Sequence, residues 1–175
     1  MWMTIAIVLV VVIVGILLYA TTRPDNIDIH RSRSIKAPPE KIVGFINDFG
    51  KWTSWSPYEG RDPAMKRTYS GAARGKGAIY EWEGNNDVGK GRMEITDEAL
   101  PSRVTIKLDF ERPFEAHNIA EFTLAPIGDS TTVTWAMRGP TAFTHKVMGI
   151  FMNMDKMVGK DFEIGLANLK TLAEK

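Results

Sequence analysis

From Met1 to Ala20 the chain reads MWMTIAIVLVVVIVGILLYA, without one charged side chain. A helix of about 20 such residues, rising about 1.5 Å each, matches the roughly 30 Å hydrocarbon core of a bilayer. No face of the run is polar, which argues against a helix half-buried on a soluble core. A secretory signal needs a basic start, a shorter apolar stretch and a small-residue cleavage site. Here only the terminal amine precedes the run, and Leu18-Tyr19-Ala20 is a poor site. Trp2 and Tyr19 stand near the two ends, where amphipathic aromatics favour the membrane interface. We therefore expect residues 1–20 to form a single-pass transmembrane anchor, with a cleaved signal as the rival. Arg23, Arg31, Arg33, Lys36 and Lys41 follow the span and no Lys or Arg precedes it. The tendency of positive residues to stay inside then makes the rest of the chain cytoplasmic.

Residues 21–27 read as a short polar linker in which Pro24 stops the helix. Residues 28–175 remain, about 150 positions, enough for one domain with its own core. Charge is balanced, 22 Lys and Arg against 21 Asp and Glu, so nucleic acid is not an expected partner. The absence of cysteine excludes disulfides, thiolate nucleophiles and cysteine-held metals.

Period and punctuation then divide the domain. Asp28–Ile35 is a first strand of weak alternation, and Pro38-Pro39-Glu40 opens a helix whose apolar face is Ile42, Val43, Phe45, Ile46 and Phe49. Trp52 and Trp55 follow in a segment long enough for one more turn. From about Met65 the period becomes two. Tyr80 and Trp82 alternate with Glu81 and Glu83, Met93 and Ile95 with Glu94 and Thr96, and Val104 to Phe110 with Thr105, Lys107 and Asp109. The runs 116–124 and 133–137 repeat the pattern, with turns at Gly84–Asp87, Leu100–Ser102 and Ile127–Ser130. This is an antiparallel meander with one apolar face. From Phe143 to Leu172 apolar residues recur at three and four, which predicts one long amphipathic helix bent near Asn153. Gly149, Gly159 and Gly165 fit where that helix lies close to the sheet or leaves space beneath it. The expected class is α+β, a strongly curved antiparallel sheet wrapped around a long C-terminal helix, plus the N-terminal transmembrane helix.

The order of elements and several local runs resemble the SRPBCC superfamily (START-like, helix-grip proteins), within it the polyketide cyclase/dehydrase-like group. The runs are Arg33–Ile42 entering the first helix, Trp52–Pro57 after it, Gly75–Trp82 and Gly89–Ile95 in the hairpins, and Gly159–Leu166 with Asn168–Lys170 in the last helix. The resemblance spans residues 28–175. It implies a helix-grip fold with a cavity between sheet and helix for a lipid, sterol, polyketide or hormone, in a superfamily some of whose members are enzymes.

The inward faces carry Tyr80, Trp82, Met93, Phe110, Asn118, Phe122 and Trp135, met from the last helix by Val147, Phe151 and Met154. These side chains either fill a core or line a pocket in which Asn118 and the Tyr80 hydroxyl orient a ligand. Trp52 and Trp55 would cover its mouth or cap the open end of the sheet. Asp155 either enters the cavity as a lone acid or lies on the solvated face, and Glu59 and Asp62 pose the same choice at the mouth. His30, His117 and His145 form no constellation, with His117 on an outward strand position. No H-E-x-x-H occurs, and Gly71–Gly77 lacks the Ser or Thr and the following helix of a phosphate loop. The expectation is a membrane-tethered domain that binds or carries a hydrophobic small molecule (lipid, quinone or polyketide-like), with no metal, cofactor or catalytic residue. The alternatives are a cyclase/dehydrase-type enzyme using Tyr80, Asn118 or Asp155, and a protein-interaction module with a collapsed pocket.

Overall fold

The computed structural model describes residues 1–175. Helix α1 spans Trp2–Thr21, strand β1 Asn26–Ile35 and helix α2 Pro39–Ile46, with a 3₁₀ turn at Phe49–Ser54. Strands β2 to β7 follow at Lys66–Gly71, Ala78–Glu83, Lys90–Ala99, Arg103–Arg112, Ala116–Ile127 and Ser130–Pro140. Helices α3, Phe143–Phe151, and α4, Met154–Ala173, end the chain.

The alternating runs form one antiparallel sheet in the order β1-β7-β6-β5-β4-β3-β2. Irregularities in the β4–β5 register at Lys90/Gly91 and Ile95/Asp97 sharpen its curvature. Opposite Trp82, Gly91 leaves the space that the indole ring occupies. The concave face carries the core: Ile95, Val104, Ile106, Phe122 and Val133 are fully buried there, and α4 presses Phe162, Leu166 and Leu169 against it.

Two features depart from the pattern expected of the last segment. The helix is broken rather than bent: Met152 is extended, and the Asn153 side chain accepts from the Lys156 amide at 2.9 Å to cap a new helix. An Asn side chain that satisfies a free N–H makes a fresh start cheaper than a continuous turn. The two halves also serve different neighbours. Helix α4 lies along β1, whereas α3 buries no residue and packs against the last turns of α1. Arg23 donates to the Gly149 carbonyl at 3.3 Å, and Lys146 pairs with Asp25.

The glycines of α4 follow the expectation of close approach. A Cβ on Gly165 would sit 2.7 Å from Trp135 Cζ3, and one on Gly159 would overlap the Arg31 guanidinium. Arg31 occupies that gap to bond Asp155 and Glu163, each at 3.0 Å. Gly149, by contrast, faces open space.

The register sorts the loops by end. Because Asn26 pairs with Pro140 and Ile35 with Thr131, the exit of α1 lies at the same end of the sheet as the β3–β4, β5–β6 and β7–α3 connections. The turns after β2, β4 and β6 lie at the opposite end.

Candidate functional site

Alternation fixes which side chains face inward; cross-strand pairing decides which of them meet. The register brings Phe122 beside Trp135, and α4 stacks Phe162 on that indole with centroids 4.2 Å apart and planes at 10°. Trp52 and Trp55 complete this block, 4.7 Å from each other and each within about 6.2 Å of both Phe122 and Trp135. Neither covers a mouth. Trp55 is 1 % exposed, and their indole N–H groups donate to the Ile46 and Phe45 carbonyls at 2.9 and 3.1 Å. The interval between α4 and the sheet is therefore occupied by aromatic rings.

Two inward rows nearer the α1 end, Tyr80, Met93, Leu108 and Asn118 stand side by side across β3, β4, β5 and β6. Asn118 then meets Gly139 of β7, where a Cβ would overlap its Oδ1. Tyr80 is held by a buried carboxylate. Its hydroxyl donates to Glu59 Oε1 at 2.7 Å, and Arg67 Nε donates to Oε2 at 2.7 Å. Burial, then the bond to Glu59, pushes the Tyr80 hydroxyl far above its usual range, so it keeps its proton. Glu59 is thus a buried anchor for Tyr80 and Arg67 rather than an acid at a solvated mouth.

Asn118 has no such partner. It is 5 % exposed, and its Oδ1 is buried without a hydrogen bond. Two residues beyond Gly139, the Thr141 hydroxyl is likewise buried and unbonded. Around them the inward face is apolar: Met137 is buried, while Leu108 and Phe110 are only half-buried. The Trp135 indole nitrogen is also without a partner, inside the aromatic block.

Of the expected site residues, the fold gathers Tyr80, Trp82, Met93, Phe110, Asn118, Phe122 and Trp135 on the concave face, with Trp52 and Trp55 above Phe122. Three lie elsewhere. Phe151 is 72 % exposed on α3, Met154 is half-buried at the start of α4, and Asp155 is exposed and ion-paired with Arg31. The hydrogen bond from Arg31 holds the Asp155 carboxyl below its usual range. Tyr80 and Asp155, two of the groups that an acid–base mechanism would recruit, are thus each engaged with another side chain. Gly139 and Thr141 are additions. Their signal was parity, since both continue the inward series Val133, Trp135, Met137. A separate cavity of about 150 Å³ opens at the opposite end of the sheet, between Phe49, Tyr69, Ala78 and Ile79, and touches none of the expected residues.

Comparisons with known proteins agree with this architecture. The family described as polyketide cyclase/dehydrase and lipid transport matches residues 26–174. Protein CV1439 of Chromobacterium violaceum is similar in structure at a TM-score of 0.61 and 18 % identity, covering 87 % of this chain and 99 % of its own. Aha1 of Colwellia psychrerythraea is similar at 0.61 and 17 %, covering 85 % and 96 %. The major latex-like protein 151 of Panax ginseng is similar at 0.62 and 10 %, covering 87 % and 100 %. At such identities the likeness shows the fold, which is the helix-grip fold. No curated protein sequence matches.

Proposed function

Because the chain belongs to the polyketide cyclase/dehydrase and lipid transport family, we propose that it binds a hydrophobic small molecule with a polar end, from a tether in the membrane. The observation that carries the reading is the Asn118 Oδ1, buried and without a partner on a largely apolar inward face. A buried acceptor left unbonded costs about 1–3 kcal/mol, and a ligand hydroxyl seated on it would recover that cost. The Thr141 hydroxyl, two positions past Gly139, offers a second contact. Leu108, Phe110 and Met137 supply apolar walls. The ligand in this reading occupies the α1 end of the concave face, because the part under α4 is taken by Trp52, Trp55, Trp135 and Phe162. A lipid, a reduced quinone or a polyketide-like compound has this chemistry.

Helix α1 is the tether. It is long and apolar enough to cross a bilayer, and only Ala20 within it is buried by the rest of the chain. Fixed beside a reservoir of apolar molecules, the domain meets its ligand at a raised effective concentration. The basic residues after the span support a cytoplasmic position for the domain.

Native mass spectrometry of the detergent-extracted full chain tests the reading. An apolar compound bearing a hydroxyl is expected to remain bound and to be depleted in the Asn118→Leu variant. An empty protein under gentle extraction, or equal retention by both, would overturn it. The side of the membrane is tested by a single cysteine at Asp129, in a chain that has none of its own. A membrane-impermeant maleimide should reach it only after lysis.

A further inference from the structure

Helix α3 is an amphipathic helix with one face unclaimed by the fold. Lys146 and Gly149 engage Asp25 and Arg23 beside α1. Phe143, Val147 and Phe151 recur at a spacing of four, on a second stripe turned away from that contact. Phe143 and Phe151 are exposed, as is Met152 at the break before α4. Phe114, on the β5–β6 connection, is also exposed and sets its ring edge-on to His145 of α3 with centroids 5.7 Å apart. All of these lie at the end of the sheet from which α1 leaves.

We propose that this surface docks on the bilayer itself, so that α3 and Phe114 seat in the headgroup zone and the Asn118 end of the concave face is held against the membrane. Two observations select lipid as the occupant. Only residues 22–25 separate α1 from β1, a link that spans at most about 14 Å at full extension. And α3 packs on the last turns of α1, where Ala20 is buried, so a spanning α1 delivers α3 to the interface. An interfacial helix buries its apolar face about 5–10 Å into the headgroup boundary, well inside that reach. A ligand leaving the bilayer would then enter the concave face at its α1 end, where Asn118 lies, without crossing water. The inference rests on α1 being a membrane span.

The test uses the full chain in phosphatidylcholine nanodiscs with an environment-sensitive NBD fluorophore on single cysteines. Leu9→Cys reports the middle of α1, Met152→Cys the proposed surface, and Asp129→Cys the opposite end of the sheet. The probe at 152 should emit blue-shifted from its apolar surroundings and be quenched by lipids carrying a nitroxide near the headgroup, with 129 unchanged, while a deep nitroxide quenches the probe at 9. Adding Phe143→Ser and Phe151→Ser, both at exposed positions, should remove the quenching at 152. A probe at 152 as bright as that at 129, with 9 quenched, overturns docking and leaves the anchor standing. An unquenched probe at 9 overturns both.

Discussion

Replacing Asn118 by leucine should move stability and ligand retention in opposite directions. The side chain is 5 % exposed and its Oδ1 has no partner, so the ligand-free protein carries a penalty of about 1–3 kcal/mol. Leucine has the same branched outline and number of heavy atoms and no polar atom. Against the gain stands its bulk over Gly139, where Oδ1 already occupies the Cβ position, at a cost of about 1 kcal/mol. The net expectation is stabilisation by about 1 kcal/mol, which for a domain of this size raises Tm by about 3 °C. In the loaded protein the same change strands the ligand hydroxyl, and a loss of about 1.4–3 kcal/mol weakens binding roughly tenfold to hundredfold. Thermal unfolding of the delipidated chain in detergent, followed by circular dichroism, reads the first effect. Ligand retained in native mass spectrometry reads the second. A delipidated variant that melts below the wild type would mean that Asn118 serves the fold and not a ligand.

Three other changes probe the framework. Phe162→Ala removes the ring stacked 4.2 Å from Trp135 and should cost about 3–5 kcal/mol in urea unfolding; a loss below about 1 kcal/mol would show that the aromatic block does not clamp α4. Tyr80→Phe takes one hydrogen bond from the buried Glu59 carboxylate and should cost about 1.5–3 kcal/mol, with an unchanged urea midpoint counting against the buried Glu59–Tyr80–Arg67 arrangement. His117, bonded to Asp109 at 2.7 Å, should titrate above its ordinary 6.5, chiefly because of that bond. A folded pKa that is raised adds stability below the unfolded value and loses it as pH climbs through the folded one. Asp109 is held below its usual range, where bonds from His117 and Lys107 outweigh the larger single effect of burial. An imidazole NMR titration of Asp109→Asn should therefore return His117 towards 6.5, and an unmoved pKa would refute the pairing.

Much of the fold was legible because its causes are local. Tyr80 and Trp82 alternate with charged neighbours, and a period of two has one geometric meaning. The glycines at 159 and 165 foretold close approach, and the structure puts Arg31 and Trp135 there. The site was less legible. Parity assigned Asn118, Phe122 and Trp135 to one face without saying that the last two would be sealed under Phe162 while Asn118 lay unbonded two inward rows away. The three-and-four spacing continued through residues 143–172, and hydrophobicity alone could not show that Asn153 would cap a second helix.

The amino-acid order by itself determined a spanning-length apolar helix, an antiparallel meander and a terminal amphipathic segment, because each follows from the periodicity of neighbouring residues. Only the tertiary structure decided that α3 turns to α1 while α4 takes the sheet, that Trp52 and Trp55 belong to the core, and that Asn118 lacks a partner. Those outcomes depend on distances between residues far apart in the chain, and cross-strand register and helix packing set such distances only once the whole domain has closed.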